Sequence, residues 1–555
     1  MSRSNPTTVI AALLVASWFA IFLSHVSAKT INVPGDHKTI QAAINAAEPG
    51  DTVLVNAGTY SERLKLKPHV TVRSAGDLAA GEHGLLRAAE TILDGADVAG
   101  HGSAVIMAEG SVLDGFTVRN FGHYDEAEWT KHHKTQGNLQ SHEHIGESPG
   151  PGIQVPDVTC VVQNNIVHHI GDTGIGLFGS EGSAASPHIY QNICFRNMGG
   201  GIGAMRQSRG IIEGNTCYEN FYAGIGHNHA SPIVIHNTCY ENIRAGIGIS
   251  EGSCPTVRNN KCYKNRRAGI GVRTGSDTRP IIETNQCYEN DMAGIGTEEE
   301  AASIIRKNEC YRNKLAGIGI RHAQATIIGN SCSDNGAAGI GLDNAKAVVM
   351  DNVCLHNQTA GIGLAESEHG QVTLVRNKLI ENKQVAIGIH GGWQAEVIEN
   401  EIKRTGGMPP LVMIFAGSTV DLTGNTFQGG GVAAVRIAGE ARIENNHLTA
   451  TELRKVGPPS FGIWALPDAT VQSYGNTFEN WRHAISASQA NVSAVNNKVK
   501  AFHQTAFMIQ DPKGSTAVMN NQVTTGDANA KIVLVKGGET QRVVERGNEV
   551  VKEAE

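Results

Sequence analysis

Five histidines crowd one stretch of this chain. His123, His132, His133, His142 and His144 fall in GHYDEAEWTKHHKTQGNLQSHEHIGESPGP, between Phe121 and Gly152, beside Asp125, Glu126, Glu128 and Trp129. Imidazole and carboxylate groups together suit zinc or copper(II), so a divalent metal or copper is the one cofactor the sequence leaves room for. The stretch has neither an H-x-x-x-H nor an H-E-x-x-H spacing. A polar surface loop and a lid that touches substrate therefore stand beside the metal reading. A second pair, His227 and His229, lies in GHNHASP. Most other repeats place Ile, Val or Leu where His227 stands, so it is either a satisfied core or turn histidine, or a ligand or proton shuttle.

Other candidates recur at fixed spacing. Tyr218, Tyr240, Tyr263, Tyr288 and Tyr311, with Phe195 ahead of them, form an outward aromatic column; stacked rings stabilise a ladder, and aromatic faces also suit sugar rings. Arg206, Glu251, Arg273, Glu298, Arg321 and Asp343 follow successive Gly-Ile-Gly triplets. Arg206 and Arg273 join the tyrosines, His227 and His229 as ligand candidates. No catalytic residue is assigned. Gly248 to Gly252 spells G-x-S-x-G, but it belongs to the repeat and not to a strand-turn-helix elbow.

The elements that must carry these residues come from that repeat. Gly-Ile-Gly begins at Gly174, Gly201, Gly224, Gly246, Gly269, Gly294, Gly317, Gly339 and Gly361, at intervals of 22 to 27 residues. A cysteine keeps the same pace from Cys194 through Cys217, Cys239, Cys262, Cys287, Cys310 and Cys332 to Cys354. Ile166 holds that slot before the run, and Leu379, Ile402, Phe427, Leu448, Phe478, Val499, Val523 and Val550 hold it afterwards. Apolar alternation in PIVIHN, ASIIRKN and ATIIGN reads as short strands. Three such strands per repeat make one coil of a parallel β-solenoid, with neighbouring coils ~4.8 Å apart. Alternation along Ala245 to Ile249 places Ala245, Ile247 and Ile249 inward and both glycines outward, which lays a flat glycine floor over the coils. The Asn columns, Asn192 to Asn377 and Asn197 to Asn382, read as amide ladders. The in-register cysteines read as buried thiols, with a disulfide or a soft-metal ladder as the alternatives.

INVPGDHKTIQAAINAAEPGDTVLVNAGTYSERLKLKPHVTVRSAG, Ile31 to Gly76, resembles the opening of right-handed parallel β-helix proteins of the pectate-lyase-like superfamily. The resemblance implies an all-β chain: a single right-handed parallel β-helix with an N-terminal capping helix. TIQAAINAA supplies that helix, with Ile40, Ala43, Ile44 and Ala47 on one face. The resemblance says little about function, because the fold hosts lyases, hydrolases, epimerases, adhesins and accessory proteins. The lyase relatives carry a base and acids on one strand face, where this chain carries glycine, and the DPHD-type motif of alginate epimerase relatives is missing.

Arg3, the apolar run TVIAALLVASWFAIFL and VSA before Lys29 read as an export signal over 1–28, which implies a periplasmic or secreted chain with no stable membrane span once the signal is removed. The remaining divisions are a cap and first coils at 29–121, the His-rich insertion at 122–151, regular coils at 152–405 and divergent coils at 406–555, where Arg436, Trp464 and Gln510 set that end apart. A formal net charge of −7 argues against a nucleic-acid partner. The leading expectation is binding of a polysaccharide or a protein partner along the glycine face. The alternatives are a lyase, hydrolase or epimerase-type enzyme on glycans, and a periplasmic copper accessory protein, similar in fold to the β-helix proteins of nitrous oxide reductase maturation.

Overall fold

In a computed structural model the chain winds as a right-handed parallel β-solenoid of about 22 turns. Residues 28–81, 85–135, 137–139, 150–525, 529–538 and 542–551 are described. Residues 1–27 of the proposed export signal, and His142 and His144, lie outside them. Among the described residues no helix is long and apolar enough to cross a membrane.

One coil shows how the sequence builds all of them. Ile233–Ile235 lies in the first sheet, Thr238–Tyr240 in the second and Ile247–Ser250 in the third. Each pairs in parallel with the strand one repeat before and one repeat after. Val234, Cys239, Ile247 and Ile249 point inward and are buried, so period-two alternation closes an apolar core. Two corners join the strands. His236 and Glu241 each take a left-handed backbone conformation, with φ of 56° and 53°, which turns the chain sharply. Such a conformation costs a non-glycine residue about 1 kcal/mol or more.

The residue after each corner offsets that cost. Asn237 donates from its backbone N and from Nδ2 to Asn260 Oδ1, at 2.9 and 3.0 Å, and from Nδ2 to the Ile212 carbonyl at 2.9 Å. This ladder runs from Asn165 to Asn548, well beyond Asn377, and the second runs from Asn197 to Asn382. Buried amides thus satisfy buried backbone groups at each coil these ladders cross.

Cys194 to Cys354 stack in register inside the second sheet, all fully buried, with no S–S bond. Burial pushes the thiols of Cys217, Cys262 and Cys287 well up, which suits small hydrophobes rather than nucleophiles. Ahead of the run the slot is filled by Val167 and not Ile166, because the ladder asparagine there is Asn165.

At the open N-terminal end, α1 (Ile40–Ala46) is capped by Thr39 Oγ1, which accepts from Ala42 N. It buries Ile40, Ala43 and Ile44, with Ala47 following, as the helical spacing requires. Another helix, α2 (Leu86–Glu90), brings the buried Arg87 onto Asp114. The insertion is more than loop: α3 (Glu126–Lys134) starts at Asp125, whose side chain accepts from Glu128 N at 2.9 Å.

Alternation does not run through the whole of Gly-Ile-Gly, as the sequence alone suggests. The third strand begins at Ile247, so Ala245 and Gly246 belong to the corner before it. Gly246 turns inward: a Cβ there would lie 2.7 Å from the Gly269 carbonyl and 2.8 Å from Asn265 Nδ2. Ala245 turns outward. Only the second glycine of a triplet turns outward, because alternation starts where the strand starts.

Candidate binding trough on the third sheet

Those second glycines align. Gly176, Gly203, Gly226, Gly248, Gly271, Gly296, Gly319, Gly341, Gly363 and Gly388 pair rung to rung. Between Gly226 and Gly341 a Cβ would meet nothing nearer than the Ala223 methyl, 3.4 Å from Gly248. Ala223, Ala245, Ala268, Ala293 and Ala316 flank this floor. The face is therefore not flat but a trough enclosing about 700 Å³.

Its two walls differ. One carries Tyr222, Arg244, Arg267, Met292 and Leu315, each the residue just before a flanking alanine. The other carries Asn228, Ser250, Arg273, Glu298, Arg321 and Asp343. The Arg244 guanidinium lies 4.2 Å over the Tyr222 ring. Burial pulls the Arg244 pKa down to about 10, and the charges of Arg267 and Arg273 push the same way. Burial also lowers Arg267, with Arg273 and Arg321 adding to the effect against Glu298. Like charges held close together away from water raise the cost of one another's charged form. Across the trough, Arg321 contacts Glu298 at 2.6 Å and Arg273 lies 3.9 Å from Glu299.

The insertion supports the arginine wall from behind. Trp129 is buried with Met198, Phe221 and Ile243, and its indole N–H donates to the Glu219 carbonyl at 2.8 Å. Arg196 covers the indole at 4.3 Å. Further along, Gly137 N donates to the Arg266 carbonyl. Phe221, Ile243 and Arg266 immediately precede Tyr222, Arg244 and Arg267. Alternate residues of one corner thus face the insertion and the trough.

The insertion's described histidines go separate ways. His132 is buried, with Nε2 2.9 Å from Glu128 Oε1 and its ring tilted against Phe221. His133 stacks on Trp129 at 4.5 Å and lies 3.5 Å from Arg266; burial, then that guanidinium, lowers its pKa. His123 is exposed. Among the described residues no three His, Cys, Asp or Glu side chains gather as a metal site.

The other candidates are dispersed. His227 occupies the inward slot between Ala204 and Ile249, 4% exposed. Its Nδ1 pairs with the Gly248 carbonyl at 2.8 Å, Nε2 has no hydrogen-bond partner, and burial pulls its pKa down to about 4. His229 is exposed at a left-handed corner, with Nδ1 2.8 Å from Asn228 Oδ1. Arg206 sits at an equivalent corner over Phe178. The tyrosines lie on the second sheet, outside the trough. From Phe195 to Tyr311 their rings stack 4.9 to 5.0 Å apart and within 7° of parallel, so ring faces cover one another and only edges reach solvent.

Tyr222, Arg244 and Arg267 were missed in the sequence. Their signal is a fixed place: Tyr, Arg and Arg stand directly before AGIG in three successive repeats, beginning with YAGIG.

A family model described as "Right handed beta helix region" matches residues 134–278 and 256–402. No curated protein sequence matches the chain. Among solved structures, the chain is similar to the Azotobacter vinelandii mannuronan C-5 epimerase AlgE6 A-module, with 14% identity over 84% of this chain and 93% of that one and a TM-score of 0.29. It is similar to the periplasmic alginate epimerase AlgG at 13% identity over 67% and 82%, TM-score 0.34. It is also similar to the Dettilon tailspike protein at 12% identity over 70% and 66%, TM-score 0.38. With that family model on its regular coils and three parallel sheets wound in register, the chain is a right-handed parallel β-helix repeat protein.

Proposed function

We propose that this protein binds a linear anionic polysaccharide along the third-sheet trough. The observation that carries the reading is the pairing of a floor without side chains and a wall that sets the half-buried Arg244 and Arg267 beside it. A carboxylated chain laid on the floor brings the negative charge that Arg244 and Arg267 favour, and guanidinium groups hold carboxylates by paired hydrogen bonds. The apolar flanks of alanine, Met292 and Leu315 suit the C–H faces of sugar rings. Export belongs to the same proposal and is supported by the basic, apolar and small-residue order of residues 1–28.

The test is a binding panel. Polygalacturonate and mannuronate polymers are expected to bind and dextran is not, with affinity falling as salt rises. Equal binding of dextran, or no loss of binding in Arg244→Ala with Arg267→Ala, sinks the reading.

A further inference from the structure

The column that forms the trough floor does not stay bare. Before Gly176 it holds Gln154, pinned by Ser103 Oγ at 3.2 Å, and Pro151 packs directly on Gly176, where a Cβ would lie 2.8 Å from the proline ring. After Gly388 the same outward position passes to Met413, then Arg436, then Trp464. The bare run, Gly203 to Gly363, measures roughly 34 Å at ~4.8 Å per rung. Side chains rise from the floor at both ends of it.

The two stops differ in chemistry. Gln154 and Pro151 offer one amide and a small apolar ring. The far stop offers a guanidinium 5.7 Å from the Trp464 ring centre, with Phe461 edge-on to that indole at 5.6 Å. His390 and Phe415, stacked at 4.2 Å, close the adjoining wall. An indole face takes the C–H face of a sugar and a guanidinium takes its carboxylate.

We infer that the trough receives the end of an anionic glycan chain, or a short oligomer, and stops it against Arg436 and Trp464; this rests on the trough reading proposed above. A chain interior must climb over Met413, Arg436 and Trp464, and lift off the floor where contact is best. A chain that ends at Met413 keeps its floor contacts, with Arg436 and Trp464 on the next two rungs facing its last ring. At about one sugar ring per rung, the floor holds about eight rings.

Stoichiometry tests this directly. Size-fractionated oligogalacturonates and oligomannuronates of two to twenty units, and long polymers of each, are titrated into the full chain by calorimetry. Affinity is expected to climb up to about eight units and then level off. One protein per polymer chain is expected whatever the polymer length. Protein bound in proportion to polymer length overturns the inference while leaving the trough reading intact. Trp464→Ala is expected to weaken eight-unit oligomers about tenfold with the melting temperature preserved; unchanged affinity in a folded variant also overturns it. If the wild-type chain binds no anionic oligomer, or Arg244→Ala binds as well as wild type, the trough reading fails and takes this inference with it.

Discussion

The second and third sheets share every coil, and their outward faces have opposite contents. On the second sheet the outward column is filled: Phe195 and five tyrosines stack face to face without a gap. On the third it is empty, from Gly203 to Gly363. A parallel solenoid repeats whatever stands at a position every ~4.8 Å, a spacing close to aromatic stacking distance. Aromatic residues therefore satisfy each other and stiffen the rod. Glycines do not, and leave their contacts to something outside the chain. Repetition gives stability in one column and a vacant length in the other.

The sharpest way to break this contrast uses the two glycines of one triplet. Gly269→Val places a Cβ 2.7 Å from the Gly294 carbonyl and 2.8 Å from Asn290 Nδ2. A loss of about 3 kcal/mol in denaturant unfolding is expected. Gly271→Val meets only the Ala245 and Ala268 methyls, at 3.6 and 4.0 Å. Its stability is expected to stay within about 0.5 kcal/mol of wild type, while polysaccharide binding is lost because the floor is filled. Matching behaviour of the two variants would erase the distinction between packed and vacant glycine.

Acid stability probes the floor's underside. Burial holds the His227 pKa at about 4, below its usual 6.5. The unfolded chain therefore takes up a proton first, and stability falls as pH drops from about 6.5 to 4, by at most ~3 kcal/mol from this residue. His168, also depressed to about 4, adds to the slope. His227→Ile should flatten the decline in part; an unchanged pH profile of unfolding refutes the buried neutral imidazole.

Arg244→Ala is expected to weaken polyuronate binding by about 1–3 kcal/mol with little change in melting temperature. Arg244→Lys should not restore it, because an ammonium lacks the planar group that lies on Tyr222. The smallest effect belongs to the filled column. Tyr263→Ala removes one ring between Tyr240 and Tyr288 and should cost about 1 kcal/mol of stability, with ligand affinity unchanged. A loss of affinity there would move the ligand to the second sheet.

Much of the solenoid was legible because its rules are local. Alternation placed Cys239, Ile247 and Ile249 inside, and the Asn columns announced ladders since a buried amide can bond to its copies above and below. The faces around Gly246 were misjudged for a local reason too. A corner interrupts alternation, and a left-handed residue such as Glu241 can be of any type, so composition does not mark it. The order within the insertion was also hidden. Glu126–Lys134 forms a helix with a polar sequence, and what holds Trp129 is a patch made by Met198, Phe221 and Ile243 from three coils.

By itself the sequence determined the rung, its period, its buried thiols and amides, and the bareness of one column, all of which depend on neighbours along the chain or on identical neighbours one repeat away. The tertiary structure alone decided that the bare column is a walled trough. Its arginine wall comes from residues one place before the repeat motif, turned outward by corners and backed by a distant insertion. Depth and charge arise only when rungs some 23 residues apart lie side by side, as Arg244 and Arg267 do.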